Sequence, residues 1–280
     1  MTDGTETQRA APGPGSLLKR IFRREVDTSV AQTSYAVFFV VLTLVLLGLA
    51  WIGGGIHGGY VPTVVDLLIP LQLLVPVIAV ALGYQAIRND ERRGELDVLE
   101  TYPVSAWQLV FGIYLGRAVG VVLAVLVPLL VLILPITVVS DPRPLVYATH
   151  TGADSPLLYL RFVMITVLFA LVMLAIALAV SSIVSTARTA IAAGAVTLIV
   201  VLFGLDIAIA YGFAAGLIGE SGLLYSLAVS PLSAYRGLVL ETAIVVVAGT
   251  GPQTASPVAS LGALLVWGGV SLGVAVRTLQ

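Results

Sequence analysis

Residues 88–100 read RNDERRGELDVLE, three arginines, three glutamates and two aspartates set between long apolar stretches. These eight are a large share of only 29 charged residues in the chain, 14 basic and 15 acidic. Such an island cannot sit in hydrocarbon, where one charge near the bilayer centre costs about 3 kcal/mol on insertion scales. It must therefore lie at a membrane surface, joining two spans. Hydrophobic residues make up 59% of the sequence, charged residues 10%, and the mean hydropathy is +1.06. Soluble domains carry about 25% charged residues, so a water-soluble globule is excluded. A net charge of −1 gives no basis for binding nucleic acid, and the absence of cysteine removes disulfides, thiolate metal sites and cysteine nucleophiles.

A membrane-crossing helix needs about 20 mostly apolar residues. That rule predicts an all-α integral membrane protein with six spans near 35–56, 62–87, 107–139, 157–182, 189–210 and 257–276. Pro70 and Pro76 in the second span, and Pro128 and Pro135 in the third, offer places to bend. The stretch 219–248 is apolar but carries Pro231, Arg236 and Glu241. A seventh span would bury both charges, so the expectation is a pair of short helices dipping into the outer face, before the loop GTGPQTASP. With both termini in the cytoplasm, eleven basic residues (Arg9, Lys19, Arg20, Arg23, Arg24, Arg88, Arg92, Arg93, Arg117, Arg188, Arg277) lie inside and three (Arg143, Arg161, Arg236) outside. That is a positive-inside bias, and it points to the plasma membrane with the N-terminus inside.

The resulting layout has a polar tail at 1–15, an interfacial connecting helix at 16–30, and a six-span domain at 31–280. In SLLKRIFRREVD, residues 16–27, Leu17, Leu18, Ile21, Phe22 and Val26 share one helical face, while Lys19, Arg20, Arg23 and Arg24 fall toward the other. The elbow at 88–106 repeats Leu96, Leu99 and Tyr102 every three residues and ends at Pro103. Ser105-Ala106-Trp107-Gln108 then has the form of a capping box opening the third span. Both cytoplasmic elements could dock a soluble partner, or simply anchor the chain at the headgroups.

Glu91, Arg92, Gly94, Leu96, Tyr102, Pro103, Ser105, Gly112, Leu115 and Gly116 together resemble the E-R-x-x-G-x-L, Y-P-x-S and G-x-x-L-G elements of the type-2, exporter-type permeases of ABC transporters. Within these, the similarity is greatest to the permease subunit of the nitrous oxide reductase maturation (copper-processing) system. SPLSAYRGLVL at 230–240 resembles the outer segment before the last span of that family, through Pro231, Tyr235 and Arg236. Two departures are Glu95, where the family has Thr, and Ile113, where it has Lys. The resemblance implies a pair of permeases carrying two separate ATPase subunits, with the elbow as coupling helix. On that basis Glu91, Arg92, Arg93, Gly94, Glu95, Leu96 and Leu99 are the expected contacts to the ATPase, joined by the interfacial residues Leu17, Ile21, Phe22, Arg23 and Arg24.

The residues agree with that division of labour. A P-loop needs G-x-x-x-x-G-K-[ST], and the only lysine, Lys19, has no such glycines before it. ATP and Mg therefore belong to a partner, and no cofactor is expected on this chain. Gly112, Gly116 and Gly120 form a GxxxGxxxG stripe suited to close helix packing, within one chain or across a dimer seam. Asp66 and Asp206, in the outer halves of the second and fifth spans, are candidates to line a translocation cavity. Gly219-Glu220-Ser221-Gly222 has the serine motif of intramembrane proteases, but His57 and His150 both precede it in outer loops and no later span offers a base. Two histidines without cysteine, and Met164 and Met173 as the only internal methionines, make a poor copper path. The sequence therefore predicts a non-catalytic permease driven from outside. The other open class is a polytopic scaffold that moves no solute, and the residues name no substrate.

Overall fold

The computed structural model describes Phe22 and residues 33–83, 105–140, 154–184, 186–248 and 255–280. The elbow residues Glu91–Leu99, and Leu17, Ile21, Arg23 and Arg24 of the interfacial segment, lie outside the described residues. All regular structure among the described residues is helical. In chain order the helices are α1 (Thr33–Gly53), the single turn α2 (Gly55–Gly58), α3 (Tyr60–Gly83), α4 (Ala106–Val131), α5 (Ile133–Val139), α6 (Pro156–Ile183) and α7 (Ala187–Ile199). They continue with α8 (Leu205–Ala214), α9 (Glu220–Ser226), α10 (Pro231–Val239), α11 (Val245–Ala248) and α12 (Pro257–Thr278). Five stretches are long and apolar enough to cross a membrane: Tyr60–Gly83, Ala106–Val139, Pro156–Ile183, Arg188–Ala214 and Pro257–Thr278. At the expected first span stands α1, whose apolar part, Phe39–Gly53, is shorter than these five.

Local sequence explains the breaks. Helix α4 ends at Val131, the residue whose carbonyl would have bonded the N–H that Pro135 lacks, and α5 restarts after Leu132. Ser155-Pro156, Ser230-Pro231 and Ser256-Pro257 each open a helix, the serine side chain accepting from the first turn and the proline preset at the first helical position. Ser105 opens α4 with a capping box, its N–H donating to Gln108 Oε1 at 3.3 Å. Helix α3 runs unbroken through Pro70 and Pro76.

Helix α6 is the axis of the molecule. Its most apolar window is 72% buried, against 17% for Arg188–Ala214 and 22% for α12. Tyr159 Oη donates to the Leu129 carbonyl at 2.8 Å, so α6 begins where α4 ends. Asp154, just ahead of α6, accepts from Tyr60 N at 2.9 Å and Val61 N at 2.7 Å, fixing the start of α3 beside it. At the other end a Cβ on Gly83 would come within 2.6 Å of Ala177 Cβ, so only glycine lets α3 and α6 close there. Thr278 and Ser182 hydroxyls meet at 2.7 Å, bringing the end of α12 to the same side. Helices α3, α6 and α12 thus run one way and α4 the other.

Between Gly222–Val229 and Pro231–Ile244 the chain bends through 116°, more than a right angle. Proline accounts for the break: Ser230 is held extended (φ −79°, ψ 125°), as a residue before proline must be, and caps α10 through Ser233 N.

Candidate functional site

Three polar side chains meet where the bent pair packs on the fifth span. Ser233 and Arg236 stand one turn apart on α10, so both reach the same neighbour. Arg236 Nη2 donates to Ser233 Oγ at 3.0 Å, and Ser233 Oγ donates to Asp206 Oδ1 at 3.0 Å. Arg236 Nη2 also lies 3.8 Å from Asp206 Oδ2. The serine thus relays a hydrogen bond from cation to anion and supports the direct ion pair. Ser233 is buried, while Asp206 and Arg236 keep 24% and 43% of their side chains exposed. Asp206 lies eight residues, about 12 Å, short of the end of α8. A half-exposed guanidinium at that depth requires water or protein beside it, because hydrocarbon would leave it unsolvated.

Helix α10 is held on its other sides as well. Tyr235, fully buried, pairs its hydroxyl with Thr166 of α6 at 3.0 Å and stacks on Phe169 at 4.5 Å, nearly parallel. A Cβ on Gly237 would approach Ala255 Cβ to 2.6 Å, so α10 touches the segment leading into α12 backbone-close. The Trp267 indole N–H donates to the Val229 carbonyl at 2.8 Å, satisfying a backbone group released by the break before Pro231. Trp267 stands ten residues into α12, so the turn of the bent pair reaches the middle of that helix. Beyond α10, Glu241 accepts from Ala255 N at 3.1 Å and Arg161 donates to the Thr242 carbonyl at 2.9 Å. Two π-helical turns bracket the cluster, Val200–Gly204 just ahead of Asp206 and Leu240–Ile244 just past α10. Such turns insert one extra residue and concentrate at working parts of proteins.

Toward the opposite end of the bundle, Arg117 Nη1 donates to the Leu82 carbonyl, in the last described turn of α3. The last turn of α3 and the first half of α4 are thereby tied on either side of the segment 84–104.

Of the residues singled out by sequence, Asp66 and Asp206 are held apart, on different partners. Asp66 accepts from Gly55 N at 2.7 Å and fastens the glycine turn between α1 and α3. Gly112, Gly116 and Gly120 are all buried within a single chain. His57 is exposed, edge-on to Trp51 at 4.9 Å. No cluster of three metal-ligating side chains occurs among the described residues. Ser233, Trp267 and Asp154 were not singled out by sequence. For the first two the signal was the Ser-Pro break at 230–231, which leaves carbonyls needing donors.

The sequence profile of the ABC-2 family transporter proteins matches residues 19–280. The chain belongs to the ABC-2 transporter family. Among curated relatives it is similar to the probable ABC transporter permease protein NosY of Pseudomonas aeruginosa, 34% identical over 112 residues, and to that of Stutzerimonas stutzeri, 30% identical over 112 residues. Each alignment covers 38% of this chain and 41% of the relative, so the chain matches about two fifths of their length. Family and helices together make it a multi-pass membrane protein of the ABC permease kind.

Proposed function

We propose that this ABC-2 protein is the membrane-spanning subunit of an exporter-type ABC transporter, acting as two copies with two separate ATPase chains. In this reading six spans cross the plasma membrane, both termini are cytoplasmic, and 219–248 is a re-entrant hairpin on the outer face. The observation that carries it is the family match over 19–280 in a chain that lacks the lysine-bearing phosphate loop needed to hydrolyse ATP.

The geometry supports a division into a driven end and a responding end. Closure of the ATPases pushes on the elbow, through Glu91, Arg92, Arg93, Glu95 and Leu99, and on the interfacial helix around Phe22. The Arg117–Leu82 bond makes the two helices that flank the elbow move together. The close contact of Gly83 with α6 then carries that displacement into the central helix. Helix α6 holds α10 through Tyr235, and α10 holds the fifth span through Ser233 and Arg236. The outer cluster is therefore the contact that must loosen for the outer side to open. Its exposed side faces the second copy, and the translocation path runs along it.

The test is purification of the tagged protein in mild detergent from its native membrane. A P-loop ATPase bound at about one copy per permease, and lost on E91A/R92A, is the expected result. If no ATPase accompanies the chain and none binds when added, the permease reading fails and a scaffold remains.

A further inference from the structure

One buried polar side chain plays no part in the bonds described so far, Gln72 of α3. Its Nε2 has no hydrogen-bond partner among the described residues. Pro76 has no N–H to give to the Gln72 carbonyl, so the same residue also carries an acceptor without its usual helical donor. Gln72 stands twelve residues from the start of α3 and eleven from Gly83, so about 16 Å or more of helix lies on either side. Half a hydrocarbon core is about 15 Å, which puts this amide near the middle of the bilayer, where lipid offers it nothing.

What Gln72 faces follows from helix geometry. Eleven residues make three turns and about 20°, so Val61, Gln72 and Gly83 form one stripe along α3. Val61 packs on Leu158 of α6, and Gly83 closes on Ala177 of the same helix. Gln72, between them, therefore faces α6 as well. The offset along the chain is 94 residues where Tyr60 meets Asp154, and it is the same where Gly83 meets Ala177. That offset places Gln72 level with Thr166. Helix α10 packs against both α3 and α6, and it brings Tyr235 to Thr166.

Thr166 fixes the direction of the hydrogen bonds there. Its hydroxyl donates to the Phe162 carbonyl at 2.8 Å. With that proton engaged, the 3.0 Å contact with Tyr235 must run from the phenol to the threonine. The chain from Tyr235 to Thr166 to Phe162 thus opens on the Tyr235 oxygen, which keeps a lone pair for a further donor. An open acceptor and an unpaired N–H at one level, too far apart to bond directly, call for a molecule between them that accepts on one side and donates on the other. A cation would face the amide hydrogens and an anion the phenol lone pair, so the small neutral ligand with both capacities is water.

We propose that the centre of the bundle binds one water molecule, which accepts from Gln72 Nε2 and donates to Tyr235 Oη. The three helices α3, α6 and α10 are then tied at mid-membrane by one exchangeable molecule rather than by side chains alone. This needs only the membrane bundle, and it stands whether or not the chain transports anything.

The test is radiolytic labelling of the full-length protein in lipid nanodiscs. A short X-ray pulse turns water into hydroxyl radicals, and a buried side chain is oxidised only where water lies beside it. Tyr235 is expected to oxidise about fivefold faster than Tyr159, which is equally buried but bonds the Leu129 carbonyl directly. Q72L, close to glutamine in size and without the donor, lowers the Tyr235 rate to that of Tyr159. Q72M does the same and carries the test if Q72L does not fold. Equal rates for Tyr235 and Tyr159 in the unaltered protein overturn the proposal. So does a fast Tyr235 that survives loss of the amide, because its water would then come from the outer cluster at Ser233 and Arg236.

Discussion

Asp206, Ser233 and Arg236 show what three side chains can do when none of them is the site of chemistry. The direct ion pair is long, 3.8 Å, and both ends are partly wet, so its Coulomb term alone is screened to about 1 kcal/mol or less. The buried hydroxyl between them gives the arrangement its geometry, because it bonds both ends, each at 3.0 Å. The three residues should behave as one unit. D206A and R236A are each expected to lower the melting temperature of the detergent-solubilised protein, and the double variant to be no worse than the worse single. That corresponds to a coupling energy of about 1 kcal/mol in a double-mutant cycle. Strict additivity would show that the three do not act together. S233A should cost as much as either single change, because it removes the hydroxyl that joins the two charges. Asp206 was legible in the sequence as an ionisable residue in a span. Its partners were not, since they come from a helix 27 residues further on, and pairing across that distance depends on where α10 lands.

At the level of elements, the long spans were readable because twenty apolar residues in a row leave few alternatives, and five of them form within a few residues of the expected limits. The bent pair was legible for a different reason: Arg236 and Glu241 argue against a straight crossing, and Pro231 supplies the break. What the sequence could not supply was how α10 is held. That depends on contacts with no local signature, such as a tryptophan in α12 that bonds a carbonyl 38 residues away. W267F keeps the bulk and removes the donor. It should cost about 1–2 kcal/mol and raise hydrogen exchange at 227–232 ahead of the rest of the bundle. G237V should be more severe, by about 1–3 kcal/mol, because the added carbons meet Ala255 backbone-close and α10 must lift from α12. Exchange in 219–248 should then rise along its whole length. Equal exchange in G237V and the unaltered protein would mean that α10 is anchored elsewhere.

The molecule as a whole has a well-packed centre and an open flank. Helix α6 is enclosed, while the fifth span and α12 present most of their surface outward. The proposed pairing of two permeases needs such a flank, and the half-exposed Arg236 lies on it in that reading. The chain contains no cysteine, so single cysteines can report on this directly. F203C and I207C, both on exposed positions of the fifth span, should cross-link between copies in native membranes, and M173C, buried in α6, should not. A cysteine placed at Thr2 should react with membrane-impermeant reagent only in inside-out vesicles. Labelling in intact cells would reverse the proposed orientation and leave the packing around α6 untouched.

The π-helical turn at Val200–Gly204 also sets a rotational phase. Everything after it in the fifth span is turned by one residue, about 100°, relative to an uninterrupted helix. Asp206 comes two residues later, so its heading toward Ser233 depends on that offset rather than on its own surroundings. Deleting one residue from this turn would leave composition, hydropathy and span length almost unchanged and yet point the carboxylate a quarter-turn away from α10. For proteins of this kind, a one-residue difference in length at this point matters more than many substitutions, because it re-indexes the whole second half of a span.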